Sequence, residues 1–539
     1  MMWLKRLCIF CLAFILACNA QVVTLNVLPE HTSNSQAVPQ PGATSTAIES
    51  TPTEKPIVPS PSSPQPAWQW PRSTPEAQGV SSNILAAMLE KIHQDNRQIH
   101  SLLIIRHGVL ILEVFVHPFR PETRHAVYSV TKSITATLVG IALDKGMLES
   151  INKPVADFFP NLPIDNPRKK EITVENLLAM NSGVEWTEPL HSGLSDHWGI
   201  LESSNPVEYF FSPALVAEPG QVFNYNSGGS HLLSIILQQE TSSTGADFAR
   251  QHLFTPLDIT DFTWDKDYTR HTVGGTGLAL LPVDMAKIGQ LYLDNGRWQD
   301  EQILSADWIK TSTQIHSQPS PDVGYGYQWW LRPQGDYYAL GWGGQQIRVL
   351  PKQDMVIVIT AGESGEYILH NDLVDGYLIP AVQSNNPLPD NTAALKRLQT
   401  AVNALSTTRT FPSSEISPMA YEVDGKQWLV TGRGDWSMFT LHQVNKTEAQ
   451  LVLTLDGDSM PLKVGLDGIY RITETEECGP VAMLGYWEAP DTFAVMQQNL
   501  READRRMTRL QFAGEKVNLF SQWFVEPYQE ESEAVLFQQ

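Results

Sequence analysis

The sequence predicts a first domain of mixed structure, α+β or α/β, followed by a smaller all-β domain. β-rich runs lie near both ends of residues 68–385 with helical patterns between them, so one sheet is expected to draw strands from distant parts of the chain. Residues 410–539 consist instead of short alternating runs that end in turn signals, which is typical of antiparallel strands. The length of 539 residues also exceeds what one hydrophobic core usually supports.

The N-terminus has the composition of an export signal. Lys5 and Arg6 precede an apolar run over residues 7–16, and the small residue Ala17 follows as a cleavage point. The run is too short to span a membrane. We therefore expect a signal peptide over residues 1–17 and an exported mature protein.

The residues Ile15-Leu16-Ala17-Cys18 resemble a bacterial lipobox, in which the cysteine is lipidated and becomes the new first residue. This predicts lipidation at Cys18 and an anchor on the outer face of a bacterial membrane, in the cell envelope. The alternative is an ordinary signal peptide that is cut nearby, and both alternatives imply export. Residues 18–67 are rich in Ser, Thr and Pro with little apolar content, so they are expected to form a disordered tether.

The elements of the first domain can be placed in order along residues 68–385. Aliphatic runs at 101–106 and 109–115 flank His107-Gly108, a pattern that predicts a hairpin. The segments that follow are expected to be helices at 129–145, 173–180, 230–240 and 282–294, then strands at 345–350 and 355–360.

A change in composition separates the two domains. Residues 385–390 are polar and carry two prolines, so a linker is expected over residues 386–409. Beyond it, runs such as 450–455 alternate apolar and polar residues and end at a turn. Residues 410–539 are therefore expected to form a separate β-rich domain.

Charge and composition exclude several classes of partner. The formal net charge of −22 repels phosphate backbones, so no nucleic-acid partner is expected. The 14 histidines show no spacing typical of a metal site, and we expect neither a metal nor a cofactor. Three of the four cysteines lie in the first 18 residues, which leaves Cys478 alone and excludes a disulfide framework in a monomer.

Ser129 and Lys132 form the sharpest local chemical pattern, at the start of a predicted apolar helix. Backbone N–H groups and the helix dipole at such a position favour the negative charge of an acyl-transfer intermediate. Lys132 lies one turn further on the same face, and burial would lower the pKa of its ammonium enough to take the Ser129 proton. A helix-capping serine and an ordinary lysine would explain the pattern alone, but the apolar helix indicates a buried pair.

With a second element, this pattern resembles the penicillin-recognising serine hydrolases, in particular the branch of class C β-lactamases, D-Ala-D-Ala carboxypeptidases and related esterases. These proteins carry Tyr-x-Asn downstream of Ser-x-x-Lys, and here Tyr225 and Ser227 stand at its first and third positions. The resemblance implies that Tyr225 acts with Lys132 as general base toward Ser129 and later protonates the leaving group. Ser227 replaces the asparagine and offers a substrate amide one hydroxyl instead of a carbonyl and an amino group.

The third element of these hydrolases, Lys-Thr-Gly or His-x-Gly on the strand that edges the site, is matched by Trp342-Gly343-Gly344. The resemblance implies that these three residues, with Ser227, line the substrate site, and that the two glycines let a ligand backbone approach the strand. It also implies an oxyanion hole from the backbone N–H groups of Ser129 and Gln345. Trp342 replaces a cation, which weakens the case for a substrate carboxylate and favours an ester or neutral amide.

The resemblance covers residues 68–385 and implies a β-lactamase/transpeptidase-like domain, α+β, with an antiparallel sheet flanked by helices. The implied function is that of a serine hydrolase which forms an acyl-enzyme with a small ester, amide or peptide substrate. The alternative is a β-lactam-binding or peptidoglycan-binding sensor of the same fold without turnover, which the changes at Ser227 and Trp342 favour. A third possibility is a structural protein whose C-terminal domain binds a partner.

Overall fold

The computed structural model describes residues 68–188, 195–365, 370–407, 415–431, 436–455, 457–476, 478–525 and 528–537. The predicted signal peptide, the tether and the lipidation site Cys18 lie outside these residues, so export and lipid anchoring stay predictions. Within the described ranges, no helix has both the length and the apolar character needed to cross a membrane.

The first part of the chain carries the helices of the predicted mixed domain. They are α1 (Ser82–Gln94), α2 (Val130–Asp144), α3 (Val174–Leu178), α4 (Asp196–Glu202), α5 (Pro206–Phe211), α6 (Ser227–Thr241), α7 (Gly245–Ala249), α8 (Pro282–Leu293), α9 (Ala306–Ser312), α10 (Asn371–Leu373), α11 (Ile379–Ala381) and α12 (Thr392–Ser406). A further short helix, α13 (Met419–Val423), opens the C-terminal domain.

Strands of the first domain form one large sheet and two small ones. They are β1 (Ile99–Arg106), β2 (Val109–Phe115), β3 (His125–Ala126), β4 (Phe262–Trp264), β5 (Leu278–Leu280), β6 (Arg297–Trp298), β7 (Glu301–Gln302), β8 (Ser317–Ser320), β9 (Val323–Tyr325), β10 (Trp330–Leu331), β11 (Tyr337–Gly341), β12 (Gln345–Leu350) and β13 (Met355–Ala361). The large sheet has eight antiparallel strands in the order β2-β1-β13-β12-β11-β10-β9-β8.

The large sheet draws its strands from both ends of the first domain, as the sequence predicted. β1 pairs with β13, which places Ile104 opposite Ile357, and β13 also pairs with β12. Every residue of β1, β12 and β13 is buried, because helices cover both faces of the sheet. On one face α8 packs against Val356, where any side chain at Gly289 would clash. The α+β class with an antiparallel sheet flanked by helices is confirmed.

The opposite face of the sheet is covered by α1 together with α12. The core that they share with the sheet includes Leu85, Leu89, Ile92, Ile104, Ile357, Leu398, Ala401 and Leu405. The helix α12 lies in the segment that the sequence indicated as a linker, residues 386–409, and Asn391 caps its N-terminus. Much of that segment therefore packs on the first domain.

The C-terminal domain is a nine-stranded barrel with one additional strand. Its strands are β14 (Gln427–Thr431), β15 (Met438–Gln443), β16 (Glu448–Leu455), β17 (Asp458–Gly465), β18 (Arg471–Thr475), β19 (Gly479–Ala489), β20 (Thr492–Asn499), β21 (Arg505–Ala513), β22 (Lys516–Trp523) and β23 (Gln529–Leu536). A parallel pairing of β17 with β19 closes the barrel, and β18 lies beside β19. Trp428, Phe439 and Phe512 lie in its apolar core. The predicted all-β domain is confirmed.

The barrel contacts the first domain through apolar and charged residues. Phe119 packs against a small cluster of barrel residues that includes Tyr470, Leu484 and Leu500. An ion pair between Arg120 and Glu474 of β18 also joins the two domains, at 2.7 Å. A third contact is made by residues 499–504, the last residue of β20 and the turn that leads into β21, which we call the barrel loop.

A buried ion pair in the large sheet should matter for stability. Arg348 of β12 donates to Asp336 Oδ2 through Nε and Nη2, at 2.8 and 2.6 Å, and the two side chains are 0% and 6% exposed. Arg332 Nε lies 3.5 Å from the other carboxylate oxygen. We expect Asp336→Ala to lower the free energy of unfolding of the first domain by about 3–5 kcal/mol, because it leaves a buried guanidinium without its carboxylate.

Urea unfolding followed by tryptophan fluorescence measures this loss. The matched control is Asp336→Asn, which keeps an oxygen acceptor for Arg348 and should be destabilised less than the alanine variant. An unfolding midpoint of Asp336→Ala equal to that of the wild type would contradict the assignment of a stabilising role to this pair.

Candidate active site

Ser129 lies at the N-cap of α2, directly after Tyr128, whose φ of +47° is unusual for a residue with a side chain. The Ser129 side chain makes no capping hydrogen bond to the described backbone of α2. Its Oγ instead accepts a hydrogen bond from Lys132 Nζ at 3.0 Å. The contact differs from that of an ordinary capping serine and brings a hydroxyl to a basic group.

Lys132 is buried, at 2% exposure, inside the apolar helix α2. Besides Ser129, its Nζ donates to the carbonyl oxygen of Gly275 at 2.8 Å. Burial lowers the pKa of the Lys132 ammonium to about 8, an effect that the negative charge of Glu188 partly offsets. A substantial fraction of this amine is therefore neutral in mildly alkaline solution and able to accept a proton.

Tyr225 faces Lys132 from the segment that precedes α6. Lys132 Nζ lies 4.9 Å from the centre of the Tyr225 ring, which stacks at 5.9 Å on Trp330 of β10. The next residue, Asn226, caps α6 by accepting a hydrogen bond from the Gly229 N–H at 2.8 Å. Since the cap fixes the start of the helix, it also fixes the residue before it. Ser129, Lys132 and Tyr225 are thus brought together from α2 and from the segment before α6.

Ser227, the first residue of α6, is buried and held by Glu188. Its Oγ donates to Glu188 Oε2 at 3.1 Å, and its backbone N–H donates to Glu188 Oε1. The indole N–H of Trp186 also donates to this carboxylate, at 2.8 Å. Because the Ser227 hydroxyl donates to Glu188, only its lone pairs stay available to a substrate. The carboxylate also gives this side of the site a negative charge.

Trp342, Gly343 and Gly344 form a 3₁₀ turn between β11 and β12, and the side chain of Gln345 holds that turn in place. Gln345 Nε2 donates to the carbonyl oxygens of Trp342 and Ala361, at 2.8 and 2.7 Å, and Oε1 accepts from the Ala361 N–H at 3.0 Å. The Trp342 indole meets the Tyr128 ring edge-on at 5.2 Å.

The two glycines of this turn have positive φ, +74° at Gly343 and +94° at Gly344. Other protein atoms occupy the space that a side chain at either position would need. A Cβ at Gly343 would lie 2.7 Å from the Cβ of Ala503, and a Cβ at Gly344 would lie 2.7 Å from His370 Nε2. Both glycines therefore have a packing role. Whether a ligand backbone also approaches them, as the resemblance implied, stays a prediction.

The turn lies close to the start of α2, as an oxyanion hole would require. The end of β11 contacts the backbone before Ser129 so closely that a side chain at Gly341 would clash with the Val127 carbonyl oxygen. Because Gly341 pairs with Gln345, this contact places the start of β12 near the segment that leads into Ser129. The pairing of the Ser129 and Gln345 N–H groups on an oxyanion is a prediction consistent with that arrangement.

Four residues of the site were missed by sequence reasoning: Glu188, Gly275, Trp330 and Glu502. Gly275 contributes only its backbone carbonyl oxygen, which no side-chain pattern can indicate, and the other three gave no signal beyond residue type. Glu502 belongs to the barrel loop and accepts a hydrogen bond from Tyr128 Oη at 2.6 Å. No cluster of three or more His, Cys, Asp or Glu side chains suited to a metal occurs in the described ranges.

Comparison with known proteins identifies the family of the chain. A family model named Beta-lactamase matches residues 37–370. The 6-aminohexanoate-dimer hydrolase of Paenarthrobacter ureafaciens is 24% identical over 311 residues, which cover 53% of this chain and 79% of that protein. Protein flp of Staphylococcus aureus strain MW2 is 22% identical over 342 residues, which cover 55% of this chain and 65% of flp, just under two thirds of its length.

The fold is also shared with solved structures. One from Bacillus anthracis, provisionally named a 6-aminohexanoate-dimer hydrolase, has a TM-score of 0.51 at 20% identity, over 60% of this chain and 89% of that chain. At this identity the likeness shows the fold alone. The family model, in contrast, matches more than half of the chain, and by that match the protein belongs to the Beta-lactamase family and is a serine hydrolase.

Proposed function

We propose that the protein hydrolyses an ester or amide bond of a small substrate through an acyl-enzyme on Ser129. The observation that carries this proposal is the buried Lys132 amine, 3.0 Å from Ser129 Oγ, with its pKa lowered to about 8 by burial. A neutral amine at this place can accept the hydroxyl proton as Oγ attacks a carbonyl carbon. The position of Ser129 at the start of α2 supports the negative charge that develops on the carbonyl oxygen.

The proposed reaction proceeds in two halves. First, Ser129 Oγ bonds to the carbonyl carbon, and its proton passes to Lys132, with Tyr225 beside it as the relay. The tetrahedral intermediate, held by the N–H groups of Ser129 and Gln345, then collapses, and the leaving alcohol or amine takes that proton. In the second half, water attacks the acyl-enzyme, a proton returns to Ser129 Oγ, and the carboxylic acid product is released.

The charges around the site favour a neutral acyl group. Trp342 places an indole, not a cation, beside Tyr128, and Glu188 adds a carboxylate near Lys132. A substrate carboxylate would find repulsion from Glu188 and no cation in place of Trp342. The name of the Paenarthrobacter relative assigns it to the dimer of 6-aminohexanoate, which is joined by an amide, so this relative supports the type of bond. Because a linear dimer of that kind keeps a terminal carboxylate, the relative does not bear on the preference for a neutral substrate.

A second candidate is a β-lactam-binding or peptidoglycan-binding sensor that is acylated but does not turn over. The engagement of Ser227 by Glu188 favours it, because a serine so held offers a deacylating water fewer free hydrogen-bonding groups. The two candidates share the acylation step and differ in the second half of the reaction.

A burst experiment separates the two candidates. Residues 68–539 are mixed with 4-nitrophenyl butyrate in a stopped-flow instrument, and the labelled peptide is mapped after a parallel reaction with a fluorophosphonate. The hydrolase proposal expects one equivalent of nitrophenol in a burst, continued turnover, and an adduct on Ser129. A burst without turnover, together with stable labelling by a fluorescent penicillin, would favour the sensor. An adduct on another residue would reject both, and heat-denatured protein serves as the control.

A further inference from the structure

The barrel loop, residues 499–504, is fixed by hydrogen bonds to two of the three residues that precede the nucleophile, Ala126 and Tyr128. The Ala126 N–H donates to the carbonyl oxygen of Arg501 at 2.7 Å. Tyr128 Oη donates to Glu502 Oε2 at 2.6 Å and accepts from the Ala503 N–H at 3.2 Å. The loop thus binds both the backbone and the side chain of the segment that ends at Ser129.

The first domain is shaped to receive this loop. Gly343 leaves room for the Ala503 side chain, where a Cβ would come within 2.7 Å. Gly362, just after β13, leaves room for the Ala503 carbonyl oxygen, which any side chain there would clash with. Two glycines on separate segments therefore leave space for one barrel residue, Ala503. This indicates that the loop packs at a specific position on the first domain.

Tyr128 connects the loop to the nucleophile. Its ring lies between the Trp342 indole and the Glu502 carboxylate, and its backbone φ of +47° is sterically unfavourable for a residue with a side chain. Such a backbone persists only where its surroundings hold it. Because Tyr128 is joined directly to Ser129, a change in the Tyr128 backbone changes the direction of the Ser129 backbone and hydroxyl, and the contacts of the ring hold that backbone in its unfavourable conformation.

We propose that Glu502 is a positioning residue for Ser129, which it orients through Tyr128, so that the C-terminal barrel completes the active site. The inference rests on the proposed serine acylation, since it concerns the nucleophile of that reaction. It assigns a role to the C-terminal domain that the motif pattern does not supply.

The electrostatic surroundings of Glu502 are consistent with its short hydrogen bond from Tyr128 Oη. Although part of its surface still reaches solvent, protein surrounds the carboxyl on most sides, and this burial raises its pKa to about 7. The hydrogen bond from Tyr128 and the charge of Arg501 act in the opposite direction, while Asp265 and Asp504 raise the pKa further. Glutamine at this position would keep an oxygen acceptor for Tyr128 Oη without the buried charge.

The test measures the second-order rate of fluorophosphonate labelling at Ser129, which reports attack by the nucleophile alone. Glu502→Ala and Tyr128→Phe should each slow labelling by about tenfold, since small displacements of a reacting atom cost this much or more. The double variant should be no slower than either single variant, because the two residues act as one unit. Glu502→Gln should restore most of the wild-type rate.

The matched control is Glu474→Ala, which removes the ion pair with Arg120 between the same two domains without touching Tyr128. It should label at the wild-type rate, and thermal unfolding should show all variants folded. The inference fails if Glu502→Ala labels as fast as the wild type, or if Glu474→Ala slows labelling equally. A wild type that labels at Ser129 leaves the proposed function standing in either case, whereas a wild type that does not label rejects both.

Discussion

Ser129→Ala is expected to lower kcat/KM for ester hydrolysis by at least about 10⁴-fold, equivalent to roughly 5.5 kcal/mol of transition-state stabilisation. The substitution removes the oxygen that bonds to the carbonyl carbon, and Lys132 then has no hydroxyl to deprotonate. The variant can still bind the substrate and still has the backbone N–H groups at the start of α2. These support only slow attack of water on the carbonyl carbon.

A buried serine one turn further along the same helix provides the control. Ser133 Oγ donates to the Gln328 carbonyl oxygen at 2.6 Å and does not contact Ser129 or Lys132 in any described hydrogen bond. Ser133→Ala should lose some stability and keep its activity within about threefold. Substantial ester turnover by purified Ser129→Ala would show that another residue is the nucleophile.

The Ser129 and Lys132 pair could be predicted from sequence because its geometry is local. Residues three apart on one helix lie on the same face whatever the rest of the fold does, and the apolar helix indicated burial. The structure shows both: a 3.0 Å contact and a lysine with 2% exposure. Tyr225 came only from the family resemblance, since nothing in its own segment indicates which helix it faces.

Glu188 and Glu502 could not be predicted because their positions depend on long-range packing. Glu188 lies 39 residues before Ser227, and Glu502 lies 374 residues after Tyr128. No periodicity or spacing relates such residues until the domains are assembled. The glycines Gly343 and Gly344 show the same limit, because the sequence indicated a close approach without saying that Ala503 and His370 make it.

The helix α12 has a recognisable sequence pattern, although a linker was predicted over residues 386–409. Residues Ala394, Leu398, Ala401 and Leu405 recur at helical spacing after Asn391, a residue that favours N-caps. That pattern predicts the helix α12 within the segment interpreted as a linker. Polar residues such as those at 385–390 are typical of a linker, but a polar turn also commonly precedes a helix.

Lys132→Met is expected to lower kcat/KM by about 10³-fold at pH 8 and to remove the pH dependence that the lysine imposes. In the wild type, the pKa of about 8 means that the neutral amine becomes tenfold scarcer with each pH unit below that value. The wild-type kcat/KM should therefore rise tenfold per unit up to about pH 8 and then level off. Methionine cannot titrate, so the remaining activity of the variant should lack this rise.

Loss of activity in this variant should not be accompanied by loss of stability. The Lys132 pKa is about 8 in the folded protein, compared with an ordinary value of 10.5. Below pH 8 the buried ammonium therefore lowers the free energy of unfolding. Between pH 8 and 10.5 the unfolded chain holds more protons than the folded chain, and wild-type stability rises with pH. Lys132→Met should thus unfold at or above the wild-type temperature at pH 7, with an advantage that fades toward pH 10.5.

A second buried lysine tests whether this behaviour belongs to the active site. Lys169 is fully buried and donates to Asp165 Oδ1 at 2.8 Å and to the Phe211 carbonyl oxygen at 2.7 Å. Lys169→Met should lose stability, because it removes the ion pair with Asp165 and leaves a buried carbonyl without its donor, and it should keep the wild-type pH profile. The opposite outcomes at the two buried lysines have a physical reason. Methionine at 132 also removes a donor to a carbonyl, that of Gly275, but it relieves the burial of an ammonium whose pKa burial has lowered to about 8, whereas methionine at 169 breaks an ion pair. An unchanged pH profile in Lys132→Met would remove the lysine from the proton transfer.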